Sequence, residues 1–138
     1  NKLQGQFTSG VSSISQRAAL AAVTSKSDSK ERMREAFLRR RDLICRLLGE
    51  IPGLRVRVPQ GAFYVMPDIT NFIGRSYDGR VMKNADDLTF FLLAEARVAM
   101  VSGTAFGADN CIRISYATSD DRITEAVRRI REALEKLG

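Results

Sequence analysis

Residues 98–119 read VAMVSGTAFGADNCIRISYATS, a strand, a glycine turn, a second strand and a helix cap in succession. Val98-Ala-Met-Val101 is too short an apolar run for a helix and is stopped by Ser102-Gly103. A second glycine, Gly107, follows Phe106, and Ala108-Asp-Asn110 has turn chemistry. Cys111-Ile-Arg-Ile-Ser-Tyr116 then resumes as a strand. Its alternation sets Ile112, Ile114 and Tyr116 on one face and Cys111, Arg113 and Ser115 on the other. Arg113 is thus a rigid, permanently charged fork between two apolar neighbours, and such a group seeks a carboxylate or phosphate. On spacing alone the plainer account is an internal salt bridge or a sheet-edge charge, and a ligand clamp is the sharper one.

Downstream, Thr118-x-x-Asp121 predicts the cap of a last helix, with Ile123, Ala126, Val127, Ile130, Leu134 and Leu137 at helical spacing. Upstream, Asn84 is a good N-cap, with Asp87 completing a capping-box-like pattern. Leu88, Phe91 and Leu92 share one face of that helix, and Phe90 and Leu93 widen the stripe, so a well-buried helix to about Arg97 is expected. Residues 71–83 carry Asn71, Gly74 and Asp78-Gly79 and read as a mobile loop. Residues 62–66, AFYVM, suit a central strand buried on both faces, and 54–58, LRVRV, suit a half-exposed strand with its valines inward. A helix over about 27–48 presents Met33, Ala36, Phe37, Leu43, Ile44, Leu47 and Leu48, and Pro52-Gly53 stops the chain beyond it. Val11, Ile14, Ala18, Ala21 and Ala22 give an earlier, small-faced helix whose partner is expected elsewhere. The sum is an α+β fold: a small, mostly antiparallel sheet with helices packed on one side, preceded by a long helix. Residues 1–25 read as an arm or the tail of a preceding domain, and 26–138 as the domain itself.

With 138 residues, 44% hydrophobic and 28% charged, the composition is that of a globular domain. No run of about 18 apolar residues offers a membrane span. The start lacks an initiator Met and the apolar core of a leader, as expected of a chain that begins partway through a longer protein. Cys45 and Cys111 are isolated, and two buried, reduced thiols in a cytoplasmic protein are the simplest reading. The absence of His removes His-based triads and His zinc sites, and no metal site is expected. The net charge of +6 permits a nucleic-acid-binding α/β module as a rival function. However, Arg39-Arg40-Arg41 is answered by Glu31, Glu35 and Asp42, and the last helix alternates its arginines with Glu125, Glu132 and Glu135. These read as solvated helix faces, so neither a nucleic-acid nor a membrane partner is expected.

Three blocks carry a resemblance: GAFYVMPDIT at 61–70, NADDLTFFLLAEARVAMVSGTAFG at 84–107, and CIRISYATS at 111–119. In this order they resemble the carboxyl-terminal, small domain of fold type I pyridoxal-phosphate-dependent aminotransferases, and more narrowly the bacterial aspartate aminotransferases. The resemblance implies that Arg113 clamps the α-carboxylate of an amino-acid substrate. It implies a parent enzyme, cytoplasmic and homodimeric, that transfers the amino group of L-aspartate to 2-oxoglutarate through pyridoxal phosphate. An aromatic or broad-range enzyme of the same type is the alternative. The aldimine lysine, the carboxylate on the pyridine nitrogen and the phosphate cradle are implied to lie in a large domain outside this chain. Lys2, Lys26, Lys30, Lys83 and Lys136 all lack the Ser-rich context of the family's aldimine lysine. The chain alone is therefore expected to hold no cofactor, to contain no catalytic residue and to be inactive.

Within the resemblance, Gln6-Phe-Thr-Ser9 matches a segment reaching toward the neighbouring subunit's cofactor, which makes Thr8 and Ser9 cofactor-binding candidates. The motif's Asn-Pro after that serine is Gly10-Val11 here. The GAFY block implies an aromatic near the site mouth, while pattern alone makes it a core strand. Ser102 stands where the SGTAFG turn's counterpart has Pro, which predicts a looser turn with a structural role only. Arg80 and Lys83 read either as steering charges for anions or as plain surface charge.

Overall fold

The computed structural model describes residues 5–7 and 10–138. The chain divides into two compact units, Asn1–Arg32 and Met33–Gly138.

In the first unit, helix α1 (Ser13–Thr24) buries none of its residues. That follows from an alanine-rich face with little apolar bulk, and Ile14 and Val23 stand exposed. Helix α2 (Ser29–Gly49) begins in this unit and runs into the second. Its opening is stabilised locally: Arg32 pairs with Asp28 at 3.3 Å, and Ser27 Oγ accepts the Ser29 N–H at 3.2 Å.

The second unit is α+β. After α2 come β1 (Tyr64–Val65), a 3₁₀ turn (Thr70–Phe72), the hairpin β2 (Ser76–Tyr77) and β3 (Arg80–Val81), and helix α3 (Ala85–Glu95). Then follow β4 (Val101–Ser102), a 3₁₀ turn (Gly103–Phe106), β5 (Ile112–Ser115) and helix α4 (Asp120–Leu134). The main sheet has the order β1-β5-β4, antiparallel throughout, with Tyr64 opposite Ser115 and Val101 opposite Arg113. β5 alternates as its sequence requires. Ile112, Ile114 and Tyr116 enter a core with Ile44 and Leu48 of α2, Leu88 and Leu92 of α3, and Ile123, Val127 and Ile130 of α4.

Caps and periods explain the helices. Asn84 Oδ1 accepts the Asp87 N–H at 3.0 Å, which satisfies one orphan donor of α3, and Asp87 reaches back to the N–H of Lys83, the residue before the cap, at 2.9 Å. α4 is capped by Ser119 rather than Thr118, its Oγ accepting the Arg122 N–H at 3.4 Å. The apolar spacing of α4 is buried as expected, with Ala133 added and Ala126 only partly covered.

Four expectations are corrected. Residues 54–58 form no strand: Arg55 makes one bridge to Asp68, and Val58 is exposed. Pro59 offers no N–H to a ladder, and Ala62, at φ 65°, turns the chain away. Residues 62–66 are not a central strand buried on both faces. Only Tyr64 and Val65 pair, at the sheet edge, with Val65 inward and Phe63 exposed. In α3, Phe90 is 71% exposed and Leu93 also faces out, because the buried stripe of Ala85, Leu88, Phe91 and Leu92 uses the opposite side. Residues 71–83 are structured: Asp78 (φ 47°) and Gly79 (φ 74°) make the left-handed turn of the β2–β3 hairpin. That hairpin is pinned by Met82, which is buried, by Tyr77 edge-on to Phe91 at 5.4 Å, and by reciprocal hydrogen bonds between Ser76 and Gly138 at 2.9 and 3.1 Å.

Candidate functional site

The helices cover one face of the β1-β5-β4 sheet, and the other face carries Arg113. Its register neighbours set the surroundings: Val101 lies across β4, and Tyr64, opposite Ser115, lies across β1. The Arg113 guanidinium carbon sits 4.5 Å from the centre of the Phe106 ring and 5.3 Å from that of Tyr64. Tyr64 in turn meets Phe63 edge-on at 5.9 Å. Among the described residues the guanidinium makes neither an ion pair nor a side-chain hydrogen bond. The salt-bridge account of this side chain thus finds no partner among the described residues. A half-buried cation framed by aromatic faces has its N–H edge free. That edge is shaped to take a carboxylate or similar planar anion by two parallel N–H···O bonds.

The turn beside it is built by close backbone approach. Gly103 N–H donates to the Cys111 carbonyl at 2.8 Å, and its own carbonyl accepts from Ala108 at 3.0 Å. The turn closes at Gly107, in the left-handed region at φ 71°. Ser102, at φ −58°, holds the angle a proline would impose. Its Oγ also accepts the Thr104 N–H at 3.3 Å, so the serine fixes by hydrogen bonding a turn expected to be looser.

Beneath the sheet, Tyr116 donates its hydroxyl to the Ala62 carbonyl at 3.1 Å and supports the bend that leads into Tyr64. Burial pushes its phenol pKa up. Asp68 ties the β1 exit to β5: it accepts from Thr70 Oγ1 at 2.6 Å, the Thr70 N–H at 2.8 Å and Asn110 Nδ2 at 3.2 Å. The Thr70 hydroxyl, ahead of the Thr70 N–H, holds the Asp68 carboxyl below its ordinary value. Cys45 and Cys111 are free and half-buried rather than buried, with burial raising both thiols.

The other charged groups are engaged elsewhere. Arg39 and Arg40 converge on Asp120 at 3.0 and 3.3 Å, and Arg41 pairs with Asp42 at 2.7 Å, so α4 supplies an unforeseen partner for the basic cluster. Arg128 and Arg129 both bind Glu125, at 2.8 and 2.7 Å. These bonds, Arg128 first, draw the Glu125 carboxyl from 4.5 to about 2. Arg80 and Lys83 are exposed on and after β3, away from any ion pair among the described residues. Thr8 and Ser9 lie outside the described residues. Phe106, a phenylalanine between two turn glycines, supplies the nearer of the two rings, a contact that sequence spacing alone does not reveal.

Acid should loosen this arrangement in a defined window. Asp68, Asp120 and Glu125 all have folded-state pKa values below their ordinary ones. Their contribution is complete above the ordinary carboxylate value and is lost as pH falls through the folded value. The denaturation midpoint should hold steady above pH 5 and fall between about pH 4.5 and about pH 2. The fall should be smaller in Glu125→Gln. Urea titrations across this range check it, and an equal decline with and without Glu125 would refute its share.

Comparison with known proteins gives a consistent picture. The family described as aminotransferase class I and II matches residues 1–130. A bifunctional aspartate aminotransferase and glutamate/aspartate-prephenate aminotransferase of Petunia hybrida is 45% identical over 97% of this chain and 29% of its own length. An aspartate aminotransferase of Rhizobium meliloti is 43% identical over 99% of this chain and 33% of its length. The crystal structure of the aspartate aminotransferase from Rhizobium meliloti superposes with a TM-score of 0.90 at 42% identity, over 99% of this chain and 34% of that one. An aromatic aminotransferase from Pyrococcus horikoshii superposes at 0.80 with 34% identity, over 97% of this chain and 34% of that one. The chain thus spans about a third of the length of these relatives.

Proposed function

The chain belongs to the class I and II aminotransferases, and from that premise we propose that it supplies the substrate α-carboxylate clamp of an aspartate-type transaminase and is inactive alone. In this reading the parent enzyme, cytoplasmic and homodimeric, moves the amino group of L-aspartate to 2-oxoglutarate. Residues 26–138 are its carboxyl-terminal small domain, and 1–25 an arm or the tail of a large domain. The reading rests on one observation above all: a half-buried guanidinium, lying over two rings, that no protein acceptor satisfies among the described residues.

Pyridoxal phosphate, the cofactor of this family, supplies an electron sink for the carbon that bears the amino group. The described residues of this chain do not make its site. No polar or charged residue is buried, Lys26, Lys30 and Lys83 are exposed, and Lys136 is held by Glu95 at 2.8 Å. A lysine that must bond the cofactor needs a desolvated amine, and each of these is exposed. The cofactor's lysine and cradle are therefore assigned to the large domain, with Thr8 and Ser9 as contacts toward a neighbouring subunit's cofactor.

This chain's own part is binding and orientation. Two charge-assisted N–H···O bonds from Arg113, each worth about 1.5–3 kcal/mol, hold the carboxylate and fix how the adjoining Cα–H is presented. Lysine keeps the charge but cannot form the fork. In the full-length enzyme Arg113→Lys should raise KM for L-aspartate about tenfold or more and lower kcat. Steady-state kinetics check this, and unchanged constants would remove Arg113 from the site. The chain alone, treated with pyridoxal phosphate and borohydride, should yield no stoichiometric adduct at any one lysine. Aromatic or broad-range specificity is the alternative within the family, since the groups that choose the substrate side chain are assigned to the large domain.

A further inference from the structure

We infer that Phe106 is a positioning residue for Arg113: its ring fixes the plane of the guanidinium so that the free N–H edge meets the substrate carboxylate. This rests on the clamp reading above. Among the described residues this long arginine side chain has no ion pair and no side-chain hydrogen bond, so within them only packing sets its orientation. That packing consists of two aromatic faces, Phe106 at 4.5 Å and Tyr64 at 5.3 Å, both within the range in which a ring's quadrupole attracts a cation.

Phe106 is also 49% exposed, so the core does not account for its place. Its backbone, by contrast, is tightly specified. Gly103 sits where no side chain fits, Gly107 closes the turn in the left-handed region, and Ser102 caps it from below. An exposed ring on so determined a turn is aimed, and what it is aimed at is the guanidinium. A ring at this distance attracts the cation through its quadrupole and takes up none of its N–H donors. It also strips water from that face, which strengthens the hydrogen bonds the edge can make.

The test uses the full-length holoenzyme and the series Phe106→Tyr, Phe106→Leu and Phe106→Ala. The readouts are KM and kcat for L-aspartate and the inhibition constant of succinate, a dicarboxylate that cannot react. Phe106→Ala should raise KM and the succinate constant together by about 3- to 30-fold, and lower kcat in the same direction as Arg113→Lys. Phe106→Tyr should restore both constants, and Phe106→Leu, which keeps apolar bulk without a ring, should stay close to Ala. Leu behaving as the parent would overturn the inference, because packing alone would then suffice. So would unchanged constants in Ala. If Ala fails to fold, the Tyr and Leu pair decides. Raised constants in Arg113→Lys with normal ones throughout the Phe106 series would sink this inference alone, whereas normal constants in Arg113→Lys would sink the clamp itself.

Discussion

Replacing Gly103 by alanine should cost at least about 3 kcal/mol and disorder the turn beside Arg113. A Cβ there would lie 2.1 Å from the Ala108 carbonyl oxygen and 2.4 Å from that of Cys111. Both obstacles are main chain, so no side chain can swing aside. Relief requires opening the two hydrogen bonds that Gly103 makes with those same residues. A domain with a reserve of roughly 5–15 kcal/mol feels such a loss strongly. Gly107→Ala is the matched control: its left-handed φ of 71° is unfavourable for alanine, but open space surrounds it, and about 1–2 kcal/mol is expected. Urea denaturation of the three proteins checks this. Equal losses at both positions would show that crowding at Gly103 is not what shapes the turn.

Tyr116→Ala, at the residue just beyond β5, should be a severe core truncation, at about 3–5 kcal/mol. The side chain is 1% exposed and packs with Phe37 at a centroid distance of 6.3 Å. Tyr116→Phe separates the two roles of this residue. It keeps the ring and removes only the hydrogen bond to the Ala62 carbonyl, so about 1 kcal/mol is expected. Because that bond supports a left-handed bend two residues before Tyr64, the Phe variant should also alter the near-ultraviolet signal of the neighbouring tyrosine. Thermal and urea midpoints give the energies. A Phe variant as unstable as Ala would mean that the hydroxyl, not the ring, carries the site.

The elements legible in the sequence were those in which local chemistry and burial agree. Asn84 and Asp87 announce the start of α3 by their spacing, and α4 announces itself by period. β5 shows its two faces because isoleucine and tyrosine alternate with residues that cannot be buried cheaply. Where the letters are uniformly apolar, that information vanishes. FYV at 63–65 and FFLL at 90–93 look equally fit for any face, and only the packed neighbours decide that Phe63, Phe90 and Leu93 face out. The hairpin at Asp78-Gly79 was hidden because each strand is two residues long, too short for alternation to register. Arg113 was conspicuous as a charge on a strand between apolar neighbours, with an internal salt bridge or a sheet-edge charge as the plainer account. The contact between Phe106 and Arg113 was not legible, because only the folded turn brings the two residues together.

β5 is held by hydrogen-bonded strands on both edges, while the segments flanking its charged side chain are surface turns. Anchor and walls are therefore mechanically separable. Residues 61–63 and 104–105 can change shape without shifting the backbone beneath the arginine, so the outer surroundings of the guanidinium are free to vary while its anchor on the central strand stays where it is.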